Sequence, residues 1–270
     1  MKKTLYILIV LWYIASFPLC AQQIKLKSTE LSINAFYGFS GLTGTLSNGT
    51  LSPGTNPQFM VEGSYFFNRY FGAGIGIGYA GYTGTTKLNS YQSSTAVTDE
   101  DGDQLKYKVN ATGVSEKEKL SALEVPLFLV FRHPCSTVYL EAKAGIKVSI
   151  PVSSSYRYTG GTITTTGEYE TYGVEIADLA DHGFQTIINP DFSGKLSSST
   201  ALSLFTSAGV VIPIKQFKMR LNLYGAYGLS SIFTLENMGL ASYPAAYHPA
   251  ISLCDKVSLL SGGIQVGIVL

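Results

Sequence analysis

The sequence is poor in charge. Asp, Glu, Lys and Arg make up 14% of its 270 residues, against about 25% in an ordinary soluble domain. Neither sign dominates: the formal net charge is +1, which leaves no basic field for nucleic acid. After the first twenty residues no apolar run reaches the ~20 residues a membrane-spanning helix needs. Three cysteines are too few for a disulfide-stapled fold. Helical periodicity is almost missing after residue 30. What is present is 46% hydrophobic residues, 28 Gly, 18 Tyr and 14 Phe, with a mean hydropathy of +0.19. That content excludes a disordered chain.

The first segment reads as an address. Lys2 and Lys3 precede an apolar run from Leu5 to Leu19, and Cys20-Ala21-Gln22 follows. This is the layout of a secretory signal peptide, cut after Ala21. Two other readings compete. A lipoprotein signal would make Cys20 the first mature residue, but Leu19 is larger than that site prefers. A retained anchor would need a longer run. The expected organisation is a signal peptide over 1–21 and one mature domain over 22–270.

The mature chain alternates with period two, the signature of strands with one apolar face. Eight such stretches are expected, near 30–39, 58–67, 71–79, 123–131, 140–150, 202–212, 219–229 and 262–270. In the third, Phe71, Ala73, Ile75, Ile77 and Tyr79 face away from Gly72, Gly74, Gly76 and Gly78. In the last, Ile264, Val266, Ile268 and Leu270 share a face. Most stretches run about nine to eleven residues, the length of a tilted bilayer crossing, where soluble strands average about five or six. A soluble sandwich or lipocalin-like barrel would also alternate, with its charges outward. A membrane barrel turns apolar side chains to lipid and polar ones to the lumen.

Connection lengths separate the two. Tight turns are expected at 68–70, 133–136 and 213–217, and long connections at 40–57, 84–118, 152–197 and 231–256. Short periplasmic turns alternating with long extracellular loops mark an outer-membrane barrel, and a sandwich has no reason to sort loops this way. The predicted fold is therefore all-β, an antiparallel transmembrane β-barrel of eight strands. A hairpin over Ser153 to Tyr172 would raise the count locally to ten. Aromatics gather at both strand ends, with Tyr65, Phe67, Tyr70, Phe71, Phe131 and Phe217 at one and Tyr37, Phe39, Tyr79, Tyr82 and Tyr227 at the other. Two headgroup girdles explain this distribution. The long connections are net acidic and the rest of the mature chain net basic. Cys135 falls in an inner turn and Cys254 near the outer start of the last strand. A membrane thickness of ~25–30 Å separates them, too far for a disulfide.

The strand Leu123-Glu124-Val125-Pro126-Leu127, the next strand's Tyr139 and Ala144-Gly145, the signal ending at Ala21-Gln22 and the closing alternation to Leu270 resemble the PorT-like and OmpX-like outer-membrane β-barrel family of Bacteroidota. The resemblance spans nearly all of 22–270. It implies an eight-stranded barrel among members mostly without assigned activity, and for PorT itself a tie to type IX secretion. The chain closes on Leu270, where outer-membrane barrels usually close on an aromatic residue.

An eight-stranded lumen is filled by side chains. The inward set is expected to be Glu62, Glu124, Arg132, Glu141, Lys143, Lys147 and Arg220, an ion-pair network, because an unpaired buried charge costs several kcal/mol. The four inward glycines would leave room for long side chains such as Arg132 or Lys147. Pro126, which removes a ladder hydrogen bond, is expected at a bulge. Asp99-Glu100-Asp101-Gly102-Asp103 lacks the spacing and distal Glu of a calcium loop, and reads as a solvated turn. Asp181-His182, after a helix-like stretch from Val174 to Ala180, has no evident partner for catalysis. No catalytic, cofactor-binding or metal-ligating set emerges. The expected partners are outer-membrane lipid and lipopolysaccharide, the barrel-insertion machinery during biogenesis, and an extracellular ligand for the long loops.

Overall fold

The computed structural model describes residues 28–270 except 235, 237 and 238. The signal segment lies outside the described residues. Eight long strands form one antiparallel ring: β1 (Ser28–Gly44), β2 (Gln58–Phe66), β3 (Phe71–Thr98), β4 (Gln104–Cys135), β5 (Val138–Tyr169), β6 (Ala201–Ile214), β7 (Phe217–Gly228) and β8 (Val257–Val269). Each strand pairs with the next, and β8 returns to β1 with Ser32 opposite Val269 and Gly44 opposite Val257. The ring has no free edge at membrane level, which is what lets a sheet cross a bilayer.

Alternation sets the two faces. Leu31, Ile33, Tyr37, Phe59, Ile75, Ile77, Leu127, Leu129, Leu223 and Ile268 are exposed, and form the apolar wall that meets lipid. Ser32, Asn34, Glu62, Glu141, Lys143, Arg220 and Gln265 are buried inside. The periplasmic turns are tight. Asn68 Oδ1 accepts the N–H groups of Tyr70 at 2.8 Å and Phe71 at 2.7 Å. The second turn falls at Ser136–Thr137 rather than 133–136, since β4 runs on through Cys135. The third uses Lys215, in the left-handed region like Ser136.

On the extracellular side the expected loops are largely strand. β3, β4 and β5 have 28, 32 and 32 residues, about three times a bilayer crossing. So 84–98, 104–118 and 152–169 continue the sheet as a head above the membrane. Leu105, Tyr107, Val109 and Ala111 keep the two-residue period and are buried, as is Leu88 on β3, and Val114 is buried one residue out of step with them. Their Ser-, Thr- and Lys-rich opposite face is solvated, which is why the stretch reads as loop by composition. The short strand Gly49–Pro53 pairs with β3, and Val174–Ile176, Thr186–Ile188 and Ser193–Lys195 pair along β5. They cover the edges that open once β3 and β5 rise above the ring. Val174 to Ala180 is thus not helix-like: it holds a strand, and a 3₁₀ turn follows only at Ala180–His182. Register shifts between β4 and β5 fall at Thr112/Ser115, Ser115/Glu116 and Ser121/Ala122. Gly161 lies opposite the first of these with φ +108°, and a Cβ there would come within 2.5 Å of the Val114 backbone.

Pro126 corrects another expectation. Ile75–Leu127 and Gly78–Glu124 flank it in the same register, so no bulge absorbs it. The ladder is interrupted, and Gly76 makes space: a Cβ there would sit 3.1 Å from Pro126 Cγ. Cys135 is exposed at the periplasmic end and Cys254 is buried at the extracellular mouth of the barrel, both as free thiols.

Candidate functional site: the barrel lumen

All seven residues expected in the lumen are buried there. At the periplasmic end Arg132 Nη2 lies 2.6 Å from Glu141 Oε2, and its Nη1 lies 2.8 Å from Glu30. Lys218 also pairs with Glu30. One level up, Glu62 takes Lys143 and, at 3.2 Å, Arg220 Nη1. Arg220 Nε reaches Glu141 Oε1 at 2.7 Å, and Nη1 donates to Ser32 Oγ and Asn34 Oδ1, both at 2.9 Å. Glu141 thus binds two guanidiniums, which ties the two levels together. Asn222 Nδ2 donates to Glu141 at 3.3 Å and to Gln265 at 3.4 Å.

Lys147 and Glu124 form a separate upper pair at 2.8 Å. Tyr82 donates its hydroxyl proton to Glu124 and accepts from Lys147 Nζ at 3.2 Å. Tyr82 is therefore a lumen residue, not part of the outer girdle. It follows Gly72–Gly78 on even-numbered positions, and that parity was the available signal. Glu30 and Lys218 were missed in the same way, on one face with Ser32 and with Arg220. Counting them, four acids face five bases, with Lys218 at the rim a third exposed.

The inward glycines do not admit Arg132 or Lys147 directly. A Cβ on Gly74 would lie 2.4 Å from Phe128 Cζ, and one on Gly72 3.1 Å from Phe66 and Val130. The rings take that space and carry the cations: Arg132 lies 4.6 Å over Phe66, and Lys143 Nζ 4.7 Å over Phe128. Each contact adds cation–π attraction to the ion pairs.

Between the lower network and the Lys147–Glu124 pair is a cavity of about 20 Å³ lined by Met60, Glu62, Glu124, Lys147, Tyr224 and Gln265, room for roughly one water and no solute. Higher still the interior turns apolar. Leu42, Leu120, Ile232, Phe233, Ile251 and Val257 pack as a lid across the mouth. Over it, the head has its own core around Tyr107, Tyr158, Ile163, Phe184 and Leu240.

Where head meets lid, Glu116 and Glu118 are fully buried, so the expected acidic outer face is partly turned inward. Glu116 accepts the N–H groups of Ala250 at 2.8 Å and Ile251 at 3.1 Å, and Glu118 accepts from Thr86 Oγ1. Burial and the neighbouring Glu118 push the Glu116 carboxyl up to about 8, and burial pushes that of Glu118 up to about 7. Asp181 and His182 sit apart from them in an exposed turn. Among the described residues no group of three or more His, Cys, Asp or Glu could hold a metal.

The chain matches the family described as outer membrane protein beta-barrel domain over residues 21–234. No curated protein matches it. Solved structures similar to it include Ail, the attachment invasion locus protein of Yersinia pestis, at 15% identity and a TM-score of 0.35, covering 90% of this chain and 99% of that one. Another is Ail in complex with the heparin analogue sucrose octasulfate, at 13% identity and a TM-score of 0.34 with the same coverage.

Proposed function

The chain belongs to the outer membrane β-barrel domain family and resides in the outer membrane, and from that premise we propose that it is a non-enzymatic, non-conducting barrel that holds an extracellular β-head for surface binding or envelope structure. In this reading residues 1–21 are removed as a signal peptide and 22–270 form the mature barrel domain. The observation that carries it is the filled interior: a two-level ion-pair network, then a cavity of about 20 Å³ closed above by the Lys147–Glu124 pair, then an apolar lid. Nothing in that sequence of layers offers a path for ions. Its partners are outer-membrane lipid and lipopolysaccharide, the insertion machinery, and a ligand for the head. The test is planar-bilayer recording on the purified full mature chain. Membranes holding heat-modifiable barrel should stay silent, and steady ohmic steps would overturn the reading.

A second reading, accessory to protein secretion in the manner of PorT in Bacteroidota, rests on the resemblance carried by Leu123–Leu127 and Ala144-Gly145. A deletion strain that loses secreted cargo would favour it. Unchanged secretion would leave the envelope role.

A further inference from the structure

Three lysines on the outer wall lack a counter-charge. Lys87, Lys117 and Lys119 enter none of the ion pairs among the described residues. They are neighbours: Thr83 faces Lys119, Thr85 faces Lys117 and Ser115 faces Lys87 across β3 and β4. Positions two apart along a strand, or diagonal across a pair, lie about 7 Å apart. Lys117 also stands directly opposite Arg157, whose own charge is taken by Asp191 at 2.7 Å. Like charges side by side on a sheet destabilise it, so this face is built to meet an anion from outside. An open groove of about 240 Å³ runs here between Thr83, Thr85, Lys117 and Lys119.

Height and direction indicate which anion. Lys117 and Lys119 keep the parity of Leu123 and Leu127, so they point sideways, along the wall that meets lipid. At ~3.3 Å per residue and a tilt of about 40°, Lys119, Lys117 and Lys87 stand roughly 10, 15 and 20 Å above the last lipid-facing residue, Leu123. A phospholipid headgroup zone is only about 5–7 Å deep. The lowest lysine can reach it by bending its stem downward, but the upper two need a taller headgroup. The hydroxyls of Thr50, Thr83, Thr85 and Ser115 flank the row through the strand pairings, and suit sugars. We propose that Lys87, Lys117 and Lys119 form a ladder that binds the phosphorylated sugar headgroup of an outer-leaflet glycolipid, which deepens and rests on the outer-membrane reading above.

The experiment uses the full mature barrel in nanodiscs containing rough lipopolysaccharide, its dephosphorylated form, or phosphatidylglycerol, and measures glycolipid retained per barrel after detergent exchange. The wild type should retain the phosphorylated glycolipid selectively. K87Q/K117Q/K119Q should retain at least about tenfold less, at roughly 1 kcal/mol for each surface lysine. K106Q/K108Q removes two lysine charges higher on the head, where Glu168, Glu170 and Glu175 pair with those lysines, and should retain as much as wild type. Heat-modifiable migration verifies folding, and single Lys→Gln variants, each losing about fivefold, serve if the triple variant does not fold. Equal retention by wild type and variants, or of the dephosphorylated form, would overturn the proposal. So would complete displacement by soluble inositol hexaphosphate, which would reassign the ladder to a soluble anion. Fractionation outside the outer membrane is scored separately, and would refute the reading beneath it.

Discussion

Arg132 on β4 and Glu141 on β5 are direct cross-strand partners, joined at 2.6 Å inside the periplasmic end of the lumen. Glu141 also holds Arg220 at 2.7 Å from β7, two strands round the ring, past β6. One carboxylate therefore pins three strands that the sheet alone would fix only pairwise. With Glu30 and Glu62 it turns a set of opposed charges into a closed network, and with the lid it makes the lumen a packed core.

Glu141→Gln leaves two buried guanidiniums short of an anion. Breaking a buried pair from one side costs about 3–5 kcal/mol, so urea unfolding of the refolded barrel should move to clearly lower midpoints. Lys218→Gln, at the partly exposed rim, should cost about 1 kcal/mol or less. Equal shifts for the two would mean that the network does not carry the stability of the floor.

Gly167 lies under the ring of Phe184, and a Cβ there would come within 2.3 Å of Phe184 Cζ. Gly167→Ala should cost the head about 1–3 kcal/mol through overpacking, and Phe184→Leu on the same chain should recover part of it. Limited proteolysis of the head is the readout. Heat-modifiable migration of the barrel should stay as in wild type.

The Glu116–Glu118 pair makes the seal pH-dependent. Tyr156 and Tyr158 of β5, Thr86 of β3 and Cys254 of the connection before β8 surround it. Asp255 faces the neighbouring Cys254, and no lysine or arginine is hydrogen-bonded to the pair among the described residues. Both carboxyls are pushed up, to about 8 and about 7. Folding then favours the protonated forms, so stability is greatest near the ordinary carboxyl range and falls as pH rises toward 8. Hydrogen exchange at 250–254, corrected for the intrinsic rate, should speed up between pH 5 and pH 8, and Glu118→Gln should flatten that profile. Exchange that slows with rising pH would contradict this account.

The two thiols should differ sharply. Cys135 is exposed at a periplasmic turn, whereas burial, with Glu118, Asp255 and Glu116 nearby, pushes the Cys254 thiol up to about 12. The thiolate is the reacting form, so maleimide should modify Cys135 in the folded protein and Cys254 only after urea is added. A Cys135–Cys254 disulfide found by mass spectrometry would refute the topology.

The sequence by itself determined the barrel. Period-two alternation fixed which side of each strand meets lipid, and the parity of Glu62, Glu124, Arg132, Glu141, Lys143, Lys147 and Arg220 put every one of them inside. Tyr82, Glu30 and Lys218 obey the same parity but lie at strand ends, where the reading stopped too soon. Only the tertiary structure decided the rest. Which acid meets which base depends on strands far apart in sequence, as when Arg220 reaches Glu62 and Glu141 across the lumen. That the inward glycines serve Phe66, Phe128 and Pro126 rather than Arg132 or Lys147 depends on neighbouring strands. The head was hidden because 84–118 and 152–169 are polar on their outer face, and their inner face is buried only by segments 178–185 and 239–254 returning over them. Composition records what a residue can do. Burial by a distant part of the chain decides whether Glu116 is a solvated charge or a sealed one.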